Sequence, residues 1–167
     1  MIKKNKYGFL IRFLLKLLVM GGIFFLVLTY VLTFYRAIGN SMFPSVKDGD
    51  LCILYKLEDS HTNDVVLYRA KDGKKKLGRI VAVGNQEVDF PEEGGYTVNG
   101  YQPAEEITYE TYKDENSDVS FPVTLGTDEY FILNDFRSDT SDSREYSTIK
   151  KKDIEGKLIF ILRRRGF

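Results

Sequence analysis

The sequence predicts a mainly β protein on a single membrane helix: one N-terminal transmembrane segment followed by one antiparallel, barrel-like or sandwich-like β domain. Three observations carry this. Leu17 to Tyr35 is a run of nineteen residues without a charge. Beyond it the chain breaks into short runs rich in Val, Ile, Leu, Tyr and Phe, separated by turn-forming residues. Finally, 167 residues suffice for one domain with a real core, but not for two domains plus a membrane segment.

The elements follow in order. Residues 1–16 form a basic N-terminus, with Lys3, Lys4, Lys6, Arg12 and Lys16 and no acid. Residues 17–36 are the expected anchor, because nineteen residues at about 1.5 Å each nearly cross a hydrocarbon layer of about 30 Å. A cleaved secretory leader, with Ala37 and Gly39 as the small residues before the cut, is the alternative; its apolar core is usually shorter, at about 7–15 residues. Positive charge before the helix, against Arg36 alone just after it, places the N-terminus in the cytoplasm and residues 37–167 outside, single-pass in a plasma membrane. Strands are expected at Leu51 to Tyr55, Asp64 to Ala70, Leu77 to Val83, Tyr96 to Val98, Glu129 to Leu133 and Lys157 to Leu162. Asp72-Gly73 reads as a hairpin tip, and Asp48-Gly49-Asp50, Asn99-Gly100 and Asn134-Asp135 as further turns. The acidic stretch from Glu105 to Asp118 lacks a helical period and reads as a partly extended excursion. No long soluble helix is expected.

Composition excludes several function classes. Five of the 24 basic residues lie in the first sixteen positions, leaving 19 against 24 acidic ones in the remainder, the wrong excess for a phosphate-binding surface. Nucleic acid is therefore not an expected partner. One cysteine, Cys52, excludes an internal disulfide, and one Cys with one His, His61, makes no zinc site. Neither a metal nor a cofactor is expected.

Gly39-Asn40-Ser41-Met42-Phe43-Pro44 follows the anchor directly. Ser41 sits between small or polar residues and an apolar pair, with Pro44 restraining the backbone beyond it. Such a turn exposes a hydroxyl while Met42 and Phe43 meet the membrane surface or line a groove. A plain helix-exit loop with interfacial anchors reads the same hexapeptide.

The order of later segments resembles the type I signal peptidase family over nearly the whole chain after residue 35. Ser41-Met42-Phe43-Pro44 is similar to the family's Ser-Met-x-Pro, which carries its nucleophile just after the anchor. Gly49-Asp50-Leu51-Cys52-Ile53 is similar to its Gly-Asp turn into a strand, and Asn63-Asp64-Val65-Val66-Leu67 to the Gly-Asp-Val-Val-like strand that follows. Tyr130-Phe131-Ile132-Leu133-Asn134-Asp135-Phe136 resembles Tyr-Phe-x-x-Gly-Asp-Asn, Thr140-Ser141-Asp142-Ser143-Arg144 resembles Ser-x-Asp-Ser-Arg, and Ile154-Glu155-Gly156-Lys157 resembles Ile-x-Gly-Lys. The resemblance implies a β domain of signal-peptidase type on the outer face of the membrane.

One position departs from that pattern. The family's general-base lysine opens a Lys-Arg-Val-Ile-Gly-Leu-Pro-Gly-Asp run, and the matching stretch here begins Gly78-Arg79-Ile80-Val81, with glycine in the lysine's place. A serine hydroxyl without a positioned base is a poor nucleophile. Lys76, two residues earlier on the same strand face and about 7 Å away, is the alternative base; a solvated charge run beside a hairpin is the other reading of Lys74-Lys75-Lys76. His61 falls in a turn outside every motif and reads as a surface residue. By resemblance, Asp142 and Arg144 form a structural ion pair beneath the site with Ser143 between them, Thr140 replaces a hydroxyl that holds the lysine, the Ser41 N–H is one oxyanion donor, and Gly39 supplies no second one. Met42 and Pro44 are expected in the substrate groove, where a segment adds as an edge strand.

Two functions follow. The first is a serine endopeptidase, with Ser41 as nucleophile, that cleaves signal sequences of exported preproteins. The second is a binding or assembly factor that engages a signal or pilin-type segment without cutting it; signal-peptidase-like members with a damaged dyad are associated with pilus assembly, and Gly78 resembles that group. A plain membrane-tethered domain explains neither Ser41 nor the ordered motifs. Signal sequences or pilin-type proteins, together with membrane lipid, are the expected partners.

Overall fold

The computed structural model describes residues 6–104 and 109–163. Lys3 and Lys4 of the basic N-terminus, and the first part of the acidic excursion, lie outside them. Helix α1 spans Lys6–Leu26 and runs through a π-turn, Val27–Val31. Tyr7–Val31 has a mean hydropathy of 2.3 and none of it is buried against the domain, so this helix is long and apolar enough to cross a membrane. It begins earlier and stops earlier than the run 17–36 suggested. Leu32–Arg36 leaves the helix to become strand β1, because its Leu-Thr-Phe-Tyr-Arg sequence pairs residue for residue with Leu51–Tyr55, strand β2. Lys56 closes the junction, its N–H on the Val31 carbonyl and its Nζ donating to the Thr29 carbonyl at 2.9 Å.

The remaining strands are β3 (Val65–Arg69), β4 (Lys75–Val83), β5 (Glu87–Asp89), β6 (Thr97–Val98), β7 (Val123–Thr124), β8 (Glu129–Leu133), β9 (Ile149–Lys150) and β10 (Ile154–Leu162), with one helical turn, α2, at Ser143–Tyr146. Seven strands form one antiparallel sheet in the order β1-β2-β10-β3-β4-β8-β9, and β6-β5-β7 form a second. The large sheet curls into a half-barrel. Its curvature brings β1 within reach of β4 across three intervening strands, and the Tyr35 hydroxyl donates to the Lys75 carbonyl at 3.0 Å.

The β3–β4 hairpin turns at Asp72-Gly73 as its sequence predicts: Gly73 takes φ 82°, and the Asp72 carboxylate accepts the Lys74 N–H. Both faces of β3 are buried, which is why Val65-Val66-Leu67-Tyr68 reads as an unbroken apolar run. Val65 and Leu67 join Met42, Val46, Cys52 and Leu77 in one core cluster, whereas Val66 and Tyr68 join Ile80 and Ile132 in another. A third cluster, around Phe90, Phe131 and Val88, glues the small sheet to the large one.

Candidate active site

Ser41 sits in a loop clamped from three sides. Its carbonyl accepts the Phe136 N–H at 2.9 Å, which ties it to the end of β8. The next side chain, Met42, drops into the core at 3% exposure, beside Leu77 and Val46. Arg79 then reaches from β4 to donate to Ser45 Oγ at 3.2 Å, while its guanidinium forks onto the buried Asp135 carboxylate through two contacts of 2.7 Å. Upstream, the Asp48 carboxylate accepts the Gly39 N–H at 2.7 Å. The loop therefore holds one shape, and Ser41 remains half-exposed within it.

Ser41 faces a groove of about 510 Å³ between the end of β1 and the start of β4, with Tyr35, Ile38, Met42, Lys76, Leu77 and Ser141 among its walls. Met42 lines it. Pro44 does not: it is exposed, outside the lining, after a cis Phe43–Pro44 bond. A cavity of similar size, about 490 Å³, lies against the Gly94–Tyr96 turn and contains neither Ser41 nor any lysine.

Gly78 is buried on β4 opposite Val66 and contributes nothing to the groove walls. A Cβ at this position would stand 2.4 Å from Ile132 Cγ2 and 3.1 Å from Tyr68 Cε1. The direction in which a side chain at 78 would leave the strand is thus already filled. Lys76, on the same face, lines the groove, and its Nζ donates to the Ser141 carbonyl at 3.2 Å and the Tyr146 hydroxyl at 3.4 Å, lying 4.8 Å above the Tyr146 ring. Among the described residues, the Ser41 hydroxyl makes no hydrogen bond.

Behind the groove, Asp142 and Arg144 form a fully buried pair, with Nη2 to Oδ2 at 2.7 Å and Nε to Oδ1 at 3.0 Å. Every remaining valence is used. Asp142 also accepts the Asn134 and Arg144 N–H groups, and Arg144 also donates to the carbonyls of Tyr112, Arg137 and Asp139. Ser143 Oγ accepts the Ile132 N–H at 3.0 Å, fastening this turn to β8. Thr140 donates to the Asp114 carboxylate at 3.0 Å and does not line the groove. Tyr112 and Asp114 belong to the acidic excursion, which therefore packs against the back of the site. His61 is exposed beside Asp64. Tyr35, Arg79, Asp135, Asp139 and Tyr146 all contribute to the site without having been singled out in the sequence, although Arg79 and Asp135 stand inside motifs that were.

Comparison with known proteins gives this arrangement its relatives. Residues 10–163 match the family model described as signal peptidase, peptidase S26. The chain belongs to the type I signal peptidase family. Among its signal peptidase relatives are signal peptidase I V of Bacillus subtilis, 26% identical over 136 residues that cover 73% of this chain and 80% of that one, and signal peptidase IB of Staphylococcus aureus, 25% identical with coverage of 90% and 88%. The crystal structure of a signal peptidase I from Enterococcus faecalis superposes with a TM-score of 0.52 at 19% identity, covering 62% of this chain and all of that one, a likeness of fold. This member has Ser41 in a clamped loop, a buried Asp142-Arg144 turn and a packed wall at Gly78.

Proposed function

We propose that this signal-peptidase-like protein holds an extended segment of an exported protein in the Ser41 groove without cutting it, on the outer face of a plasma membrane that α1 crosses with its N-terminus in the cytoplasm. The observation that carries this is the wall at Gly78: Ile132 and Tyr68 occupy the space a lysine there would need, and among the described residues none hydrogen-bonds the Ser41 hydroxyl. The groove itself supports the binding half. β8 pairs with β4 only from Arg79 onward, so the Lys75–Leu77 stretch pairs with β3 alone and, apart from the Lys75 carbonyl that the Tyr35 hydroxyl takes, borders the groove as an edge for an added strand. Signal or pilin-type segments of exported proteins fit such an edge.

A second reading, the serine endopeptidase, is favoured by one specific observation: Ser41 and the amine-bearing Lys76 line the same groove. Full-length protein in detergent, mixed with a preprotein carrying an Ala-x-Ala signal, separates the two. Binding without cleavage, equal in the parent and in Ser41→Ala, is the expected result; complementation of a deletion strain by Ser41→Ala should likewise restore surface-fibre assembly. Cleavage by the parent that Ser41→Ala abolishes would overturn the binding reading in favour of the peptidase.

A further inference from the structure

Three consecutive lysines enter β4, and their surroundings differ. Lys74 stands 3.8 Å from the Asp72 carboxylate and Lys75 donates to Glu155 at 2.5 Å. Lys76 is partly buried, and among the described residues no carboxylate lies within ion-pair distance of its Nζ. Its two hydrogen bonds go to neutral acceptors, the Ser141 carbonyl and the Tyr146 hydroxyl. That phenol stays neutral, its pKa pushed up to about 12 chiefly by burial and then by its bond to Glu145. Asp139, the acid on the groove wall, turns its Oδ1 onto Ser141, accepting from N–H at 3.0 Å and Oγ–H at 2.6 Å. An ammonium has three donors, and the described residues take two of those of Lys76.

A cation withdrawn from water costs free energy until an anion meets it, and the aromatic ring beneath Nζ supplies only part of what water gave. We infer that the Lys76 end of the groove binds a carboxylate carried by the extended segment, either an acidic side chain or a free C-terminus. This rests on the binding reading above, because the partner it specifies is the one that occupies the same groove. The carboxylate would take the third donor of Nζ, completing a charge-assisted hydrogen bond in a partly desolvated site.

The test uses full-length protein in detergent and fluorophore-labelled ten-residue peptides of Ala, Val and Leu. One amidated set carries a single Glu walked along the sequence, a matched set carries Gln, and a neutral set has a free C-terminal carboxylate. At one Glu position, or with the free C-terminus, affinity should exceed that of the matched neutral peptide roughly tenfold. Lys76→Gln should erase that preference, Lys76→Arg should keep it, and Lys75→Gln should leave it intact. Whichever peptide set shows the gain identifies the source of the carboxylate. Equal binding of charged and neutral peptides, or a preference that survives Lys76→Gln, overturns this inference and leaves the groove reading standing. Failure of every peptide to bind, neutral ones included, overturns the groove reading and the inference with it.

Discussion

Cys52 shows how far a single side chain here is governed by its surroundings. It is fully buried on β2, and its thiol is pushed up to about 11, first by burial and then by the negative charge of Asp50. In the unfolded chain the same thiol ionises near 9.0, so between those values the unfolded state binds fewer protons and folding stability falls as pH rises. Below pH 9 this contribution is intact. Urea unfolding at pH 8 and pH 10.5 should therefore show a loss at the higher pH that Cys52→Ala reduces, and a maleimide at pH 8 should label the native protein only after denaturant is added. Rapid labelling of native protein would contradict the burial. Ser41 and Lys76 are residues of the same kind, with properties fixed by neighbours distant in sequence: Lys76 meets the Tyr146 hydroxyl seventy positions away. That is why the sequence could point to Ser41 through its motif while the circumstances of the lysine stayed out of sight. A motif displays the residues it contains and is silent about the ring, carbonyl or methyl group that the fold brings against them.

At the scale of one element, β4 carries most of what distinguishes this protein. Its alternation places Lys76, Gly78 and Ile80 on one face, so a lysine cation, a bare glycine and a core isoleucine follow one another at two-residue spacing. Introducing a Cβ at Gly78 collides with Ile132, itself fully buried and unable to retreat into solvent. Gly78→Ala should cost about 1–3 kcal/mol in chemical denaturation. Combining it with Ile132→Ala should cost less than the sum of the two single changes, since the second removes the atoms that the first strikes. Strict additivity would mean that the two positions are not in contact. Gly78→Lys should accordingly destabilise the domain and add no cleavage. The long elements of the sheet were readable because β2, β3 and β8 are apolar runs bounded by turn residues. β1 was not: its five residues extend an apolar run in which helix and strand have the same composition, and only pairing with β2 decides between them. β5, β7 and β9, at two or three residues each, are too short to show a period.

Over the whole molecule, the helix and the sheet are one continuous construction. A cut near Gly39 would remove β1, with its five paired positions, and Ala37, which is buried in the core. This supports an anchor that stays attached over a leader that is cleaved. In cells, the protein should fractionate with membranes at full length, and external protease should digest the β domain while leaving an α1-sized fragment protected. A stable soluble form beginning near Asn40 would contradict both expectations.

The junction between α1 and β1 has a mechanical meaning. No slack segment separates helix from sheet: the π-turn ends at Val31, pairing begins at Leu32, and Lys56 bolts the two together. Ser41 therefore follows the helix end after one strand of about 17 Å and a short loop. With α1 in a bilayer, as proposed, that connection makes the helix a ruler. On the proposed reading, a polypeptide emerging from the same bilayer would meet the groove only with the stretch that lies at that elevation, and distance from the membrane would select alongside the chemistry of the side chains.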